Sequence, residues 1–338
     1  MNCSFTFENQ TITIDQNSYK ITSEKSCENA YFDDIIRFLD EWFSDKPTIE
    51  VQTSGTTGTP KRILIQKERM IHSALATGKF LQLSANDRTL CCLPISFIAG
   101  KMMLVRSIVL GLKTLIVEPS AMPFKNIQEC FDFTAITPMQ AQLSIEKLSL
   151  FKNILIGGSK TEIDLEQKLL TIPSNIYETF ASTETLSHIA LRKIGNQHFE
   201  TLPEITIDTT SDNCLIINAP KILEKPLKTN DIINKISDTQ FNWIGRLDNV
   251  INSGGIKIFP EKIEEKLQKH INREFIIKGV RDHLLGEKVV LFIQGESYNI
   301  DCSIFDILEK YERPKEVIFV KHFPKTPTGK IQRNQVGL

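Results

Sequence analysis

The densest group of ligand-binding residues in this 338-residue chain is Thr53-Ser54-Gly55-Thr56-Thr57-Gly58-Thr59-Pro60-Lys61. Its hydroxyls are neutral donors to phosphate oxygens. Gly55 and Gly58 let the backbone turn and present N–H groups, and Lys61 adds a positive point charge. A Walker-type loop needs lysine directly after its second glycine. Here Thr59 and Pro60 separate Gly58 from Lys61, which excludes that mode of nucleotide binding. Val51 leads in and Arg62–Ile65 reads as a returning strand, so the segment sits at the tip of a hairpin. Taken alone, it is also compatible with a polar surface turn.

Three further stretches follow it. Phe180-Ala181-Ser182-Thr183-Glu184-Thr185 joins an aromatic ring to hydroxyls and a carboxylate. Gly245-Arg246-Leu247-Asp248-Asn249-Val250-Ile251 runs on to Gly254, Gly255, Lys257, Pro260, Ile263 and Glu264. Pro324-Lys325-Thr326-Pro327-Thr328-Gly329-Lys330 frames a lysine with a glycine and two prolines, a turn that projects one ammonium group. In this order the four stretches resemble the signatures of the adenylate-forming superfamily, which includes acyl-CoA synthetases, non-ribosomal adenylation domains and luciferases.

The resemblance implies a two-step reaction. A carboxylate attacks the α-phosphate of ATP, giving an acyl-adenylate and pyrophosphate, and a thiol such as coenzyme A then displaces AMP. It assigns Ser54, Gly55, Thr56, Thr57, Gly58 and Lys61 to the β- and γ-phosphates and Thr183 to the α-phosphate. Glu184 would hold Mg²⁺, a hard cation that takes carboxylate and phosphate oxygens. Phe180 would stack on adenine, with Gly157-Gly158-Ser159 as the adenine-contacting turn. Asp231 would bind the ribose hydroxyls and Arg246 would be a second ribose or phosphate contact. Lys330 would neutralise charge on the carboxylate and α-phosphate in the first step, Asp248 would be the hinge, and Gly254-Gly255 would line the pantetheine path. The chain departs from the pattern at Ala181 and Asn230, where relatives carry glycine, and at Phe180, where they usually carry tyrosine.

The acid is a separate question. In Pro94-Ile95-Ser96-Phe97-Ile98-Ala99-Gly100-Lys101-Met102-Met103, Ser96-Phe97 stands where many relatives have Phe-His. With Glu118-Pro119-Ser120 and the short N-terminal region, this block resembles short o-succinylbenzoate–CoA ligases of menaquinone biosynthesis. Such an acid has two carboxylates, one of which stays unreacted and needs a cation. Lys101 and Arg106 are the candidates, with Phe97 facing the acyl group, and arginine suits a bidentate contact best. Both cations are equally compatible with a helix surface. Two other readings stand beside this one: another aryl- or acyl-CoA ligase, or an enzyme loading a carrier-protein thiol. A non-catalytic relic is opposed by Thr56, Lys61, Glu184, Asp231, Arg246 and Lys330, which retain every charged part of the machinery.

These residues need a scaffold. Apolar residues at Phe32, Ile35, Ile36, Leu39, Trp42 and Phe43 recur at helical spacing. Strands are expected at 90–93, 113–117, 133–136, 153–156 and 175–180, with amphipathic helices at 66–82, 98–110, 138–148 and 162–171 between them. The alternation predicts an α/β fold whose parallel sheet binds ligands beyond its C-terminal strand ends. Residues 186–244 read as more antiparallel. A small β-rich unit follows, with one helix whose first turn holds Pro260 and whose apolar face carries Ile263, Leu267 and Ile271. The expected division is a large domain at 1–247 and a mobile α+β C-terminal domain at 248–338, an adenylate-forming fold shortened at its N-terminus.

A net charge of −1, from 40 basic and 41 acidic residues, gives no sign of a nucleic-acid or membrane surface. The small-molecule acid and CoA are the expected partners, and a homodimer stays open. Without an apolar leader or membrane span, and with seven scattered cysteines, the expectation is a cytoplasmic protein with reduced thiols in its core.

Overall fold

The computed structural model describes residues 3–8, 10–15, 18–22, 29–52, 62–182, 184–325 and 331–337. Ser54, Gly55, Thr56, Thr57, Gly58, Lys61, Thr183 and Lys330 lie outside these residues. Two compact units result, one of residues 1–206 with 218–226, the other of 207–217 with 227–338.

The first unit is built in the order β1 (Cys3–Phe7), β2 (Gln10–Ile14), β3 (Tyr19–Thr22), α1 (Ala30–Phe43), β4 (Thr48–Gln52), β5 (Arg62–Gln66), α2 (Lys67–Leu81), β6 (Arg88–Cys91), α3 (Ile98–Leu110) and β7 (Lys113–Ile116). It continues with β8 (Phe131–Ile136), α4 (Pro138–Leu143), β9 (Phe151–Ile156), α5 (Ile163–Leu169), β10 (Asn175–Ala181), β11 (His188–Lys193) and β12 (Phe199–Thr201). Its main sheet runs β12-β11-β10-β9-β8-β6-β7-β1-β2-β3. The stretch from β10 to β1 is parallel throughout. From β6 the chain steps to β7 on one side, then crosses to β8, β9 and β10 on the other. Between β6 and β8 the direction of winding reverses, and in open α/β sheets the crevice beyond such a reversal is where ligands bind.

The reasons for these elements are local. Asn29 caps α1 by accepting from the N–H of Tyr31 at 2.8 Å, and α1 buries Phe32, Ile35, Leu39 and Trp42. Beneath the sheet, Leu90, Ile136, Ile154 and Ile176 from four neighbouring strands form one core with Phe124 and Phe151, each buried side chain contributing roughly 1.5–3 kcal/mol. Strands β4 and β5 pair antiparallel, from Thr48↔Gln66 to Gln52↔Arg62, as the hairpin reading requires. The helix expected over 138–148 stops at Leu143, and residues 145–150 continue as a tighter 3₁₀ turn. Ser144, between them, has left helical geometry (φ −115°, ψ 21°).

The second unit holds β13 (Thr206–Thr209), β14 (Cys214–Asn218), β15 (Leu227–Lys235) and β16 (Gln240–Arg246), the last three joined antiparallel. Then come β17 (Ile251–Ser253), β18 (Ile256–Ile258), α6 (Pro260–Leu267), β19 (Phe275–Asp282), β20 (Gly286–Gln294) and β21 (Glu316–Val320). Helix α6 turns Ile263 and Leu267 into a core with Ile271, Ile277 and Leu291, as its spacing predicts. Among the described residues, Cys3, Cys91, Cys92 and Cys214 are buried free thiols. Cys130 and Cys302 are free and exposed, so the expected core role fails at those two. Among the same residues no helix is long and apolar enough to cross a membrane.

Candidate active site

In the first unit the predicted residues gather beyond the C-terminal ends of the parallel strands. Gly157, Gly158 and Ser159 leave β9. A β-carbon on Gly157 would stand 2.5 Å from Oγ1 of Thr179, and Gly158 takes φ +99°, a conformation that favours glycine. Phe180 and Ala181 end β10, and the Phe180 ring meets Phe199 edge-on at 5.6 Å.

Glu184 follows on an exposed turn. Among the described residues no cluster of three or more acidic, His or Cys side chains forms a metal cage. One exposed carboxylate fits magnesium nonetheless, since that ion is held by one or two carboxylates plus substrate phosphates.

The loop after β10 is tightly specified. Thr185 is fully buried, and its hydroxyl lies within bonding distance of the Ser182 N–H (3.1 Å), the Ser182 carbonyl (3.0 Å) and the Ser187 carbonyl (2.9 Å). Leu186 is held at φ +64°, which costs a side chain-bearing residue on the order of 1–2 kcal/mol. The ladder of β10 with β11 shifts register here, from Phe180↔Ala190 to Ala181↔His188. Bulges of this kind re-aim side chains beside functional sites.

The loop places Ser187 against Arg106. Arg106, on the second half of α3, is 3 % exposed, and its Nη2 donates to Ser187 Oγ at 2.7 Å. Its Nε finds no partner among the described residues. The ionisable neighbour that raises its pKa is Cys91, at the end of β6, whose own thiol burial pushes up to about 11 and so keeps neutral. Burial lowers the Arg106 pKa to about 10, which leaves it charged at neutral pH. A buried guanidinium without a carboxylate is costly and calls for an anion.

Lys101 is placed differently. Its Nζ donates to the carbonyl of Glu50 at 2.7 Å and lies 5.9 Å from the Phe38 ring centroid. Phe97 is 40 % exposed at the start of α3. Two residues that sequence reasoning passed over join Arg106: Ser187 and the buried His188. Their only signal was adjacency to the Thr183-Glu184 motif.

The second unit holds a separate set. Asp231 and Arg246 face each other across β15 and β16, with Nη1 3.7 Å from Oδ2. Trp243 Nε1 donates to Asp231 Oδ1 at 3.0 Å. Arg246 Nη2 donates to Asp248 at 2.8 Å, and Asn230, at a position where the motif has glycine, donates to the same carboxylate at 3.0 Å. Burial works against the Arg246 charge, but the Asp248 hydrogen bond and the charges of Asp231 and Asp248 prevail and raise its pKa. Gly254 and Gly255 take φ +58° and +82° as the two turn residues between Ser253 and Ile256. A two-residue hairpin turn with both φ values positive is a sufficient structural reason for the pair.

The sequence profile of the AMP-binding enzyme family matches residues 14–220. The chain belongs to that family. Among its relatives, a 2-succinylbenzoate–CoA ligase of Listeria monocytogenes is 27 % identical, over 88 % of this chain and 71 % of its own length. Among solved structures, an AMP-forming acyl-CoA synthetase/AMP-acid ligase II-like protein from Dyadobacter fermentans is 32 % identical, covering 92 % of this chain and 95 % of its own, with a TM-score of 0.65. The Bacillus subtilis o-succinylbenzoate CoA synthetase bound to its acyl-adenylate shares the fold, with a TM-score of 0.75 at 20 % identity over 86 % of this chain and 68 % of its own. The α/β architecture is thus that of adenylate-forming enzymes.

Proposed function

We propose that this family member is an ATP-dependent acid–thiol ligase that converts o-succinylbenzoate, ATP and CoA into o-succinylbenzoyl-CoA, AMP and pyrophosphate through an acyl-adenylate. The observation that carries the substrate reading is Arg106, a buried cation beside the Ser182–Ser187 loop with no acidic partner among the described residues. A dicarboxylic acid supplies that partner, because one carboxylate reacts while the other remains ionised. Lys101 is the weaker candidate, since its ammonium already serves Glu50. The relatives named for 2-succinylbenzoate support the same acid.

In this reading the Thr53–Lys61 loop binds the β- and γ-phosphates, Thr183 the α-phosphate, and Asp231 the ribose, with Arg246 beside it. Glu184 holds magnesium, which supplies neutralisation of phosphate charge. Phe180 offers adenine an aromatic face, and Phe97 borders the acyl group. Lys330 stabilises the anionic transition state of adenylation, after which residues 248–338 swing about Asp248 and the Gly254-Gly255 turn borders the pantetheine arm. Isotope exchange between pyrophosphate and ATP tests the first half-reaction, with o-succinylbenzoate, benzoate and a fatty acid offered separately. Exchange driven by o-succinylbenzoate at least tenfold above the others is expected. Faster exchange with either monocarboxylate would remove the substrate and keep the chemistry.

A further inference from the structure

Arg106 belongs to a hydrogen-bonded chain whose direction is fixed. The Thr77 hydroxyl donates its one proton to the Ser73 carbonyl at 3.0 Å, so at 3.1 Å from His188 Nε2 it must accept. That places the His188 proton on Nε2 and leaves Nδ1 as an acceptor, 3.3 Å from Ser187 Oγ. Ser187 therefore donates to His188 and turns its lone pairs to Nη2 of Arg106, 2.7 Å away. His188 is 5 % exposed and Thr77 fully buried, whereas Ser187 is only partly buried. The relay is thus least buried at Ser187, on the loop whose strain and bulge set its path, while Arg106 itself is 3 % exposed. Burial and the neighbouring Arg106 charge both oppose protonation of His188.

A protonated His188 would carry a donor on Nδ1, oppose Ser187 and repel the guanidinium. A neutral histidine with this tautomer does neither. Nothing in the adenylation chemistry requires such a chain, and none of its members is a phosphate ligand in the reading above. Its effect is to fix a guanidinium whose Nε remains unsatisfied.

We propose that Thr77, His188 and Ser187 are positioning residues that lock Arg106 as the receptor for a second carboxylate, and so set a preference for dicarboxylic over monocarboxylic acids. The proposal rests on the acid-activating reading of the site and deepens it.

The test compares kcat and KM for o-succinylbenzoate with those for its two analogues that each lack one carboxylate, 4-oxo-4-phenylbutanoate and 2-butanoylbenzoate, following AMP release. In Ser187→Ala and His188→Leu, the preference for the dicarboxylate over the better analogue should fall about tenfold, with the loss in KM rather than kcat. His188→Asn, whose side-chain oxygen can accept from Ser187 in place of Nδ1, should recover most of it. Equal losses on diacid and monoacid, or equal behaviour of His188→Leu and His188→Asn, would overturn the relay and leave these residues as ordinary core. Thermal unfolding of each variant separates misfolding from loss of preference. If the wild type ignores o-succinylbenzoate, the same comparison is made with phthalate and benzoate and with glutarate and butyrate. A diacid preference that collapses in the variants keeps the relay and removes the substrate, and a monoacid preference removes the relay.

Discussion

A positive charge held inside a fold without an acidic neighbour acts on stability and function in opposite directions. Replacing Arg106 with methionine removes an uncompensated charge and refills similar volume, a change that is commonly neutral or stabilising. The same change deletes the proposed receptor for a carboxylate, worth about 1.5–3 kcal/mol for a charged hydrogen bond. Arg106→Met is therefore expected to raise KM for o-succinylbenzoate roughly ten- to hundredfold with no fall in melting temperature. A fall of several degrees with an unchanged KM would make Arg106 a structural residue.

His188 gives a pH signature at the same scale. Folding lowers its pKa well below 6.5, mainly through burial and then through Arg106. The unfolded chain therefore binds a proton that the folded chain does not. Its stability contribution is present above about pH 6.5 and is lost as pH falls, at up to about 1.4 kcal/mol per pH unit. The melting temperature of wild type is expected to drop more than that of His188→Asn between pH 7.5 and 5.5. Parallel curves would show that His188 titrates normally.

Among the elements, α3 carries the residues proposed to meet the acid, and its start is set by Gly100. A β-carbon there would overlap the backbone carbonyl of Pro94, which cannot rotate away. Gly100→Ala is expected to cost about 1–3 kcal/mol of stability and to move Phe97, lowering kcat/KM for every acid alike. A variant of wild-type stability and activity would show that the loop before α3 yields freely. A second fixed point is Arg192 of β11, which bridges Glu166 of α5 and Glu178 of β10 at 2.8 and 2.7 Å and fastens that helix to the two strands.

Much of this scaffold was legible in the sequence because it is periodic. The stripe in α1 and the face of α6 repeat at helical spacing, and the apolar runs of β6 to β10 are too short for buried helices and lie between turn residues. Strands β1 to β3 were passed over although Cys3–Phe7 and Gln10–Ile14 alternate polar and apolar residues at the period of a half-buried strand, because each run is only five residues long and no turn signature of a known length joins them. Ser187 and His188 were illegible for another reason. A serine beside a histidine acquires meaning only once a bulge, a left-handed leucine and an arginine 81 positions away bring them together. Asn230 is similar: at a position where the motif has glycine, it proves to bond Asp248, the residue proposed as the hinge.

For the whole molecule, the proposed reaction cycle needs two kinds of residue. The first unit carries the residues proposed for the acid and adenine, and the second carries Asp231, Arg246, Asp248 and, by sequence, Lys330. Only turnover of intact protein tests that union. The decisive measurement incubates wild type and Lys330→Ala separately with ATP, Mg²⁺, CoA and o-succinylbenzoate, and follows AMP and the CoA thioester by mass spectrometry. Wild type is expected to release AMP and thioester in equal amounts. Lys330→Ala should form neither, yet still convert supplied o-succinylbenzoyl-adenylate to the thioester. A wild type that forms no thioester from o-succinylbenzoate, or a Lys330→Ala variant that turns over at the wild-type rate, would contradict the account.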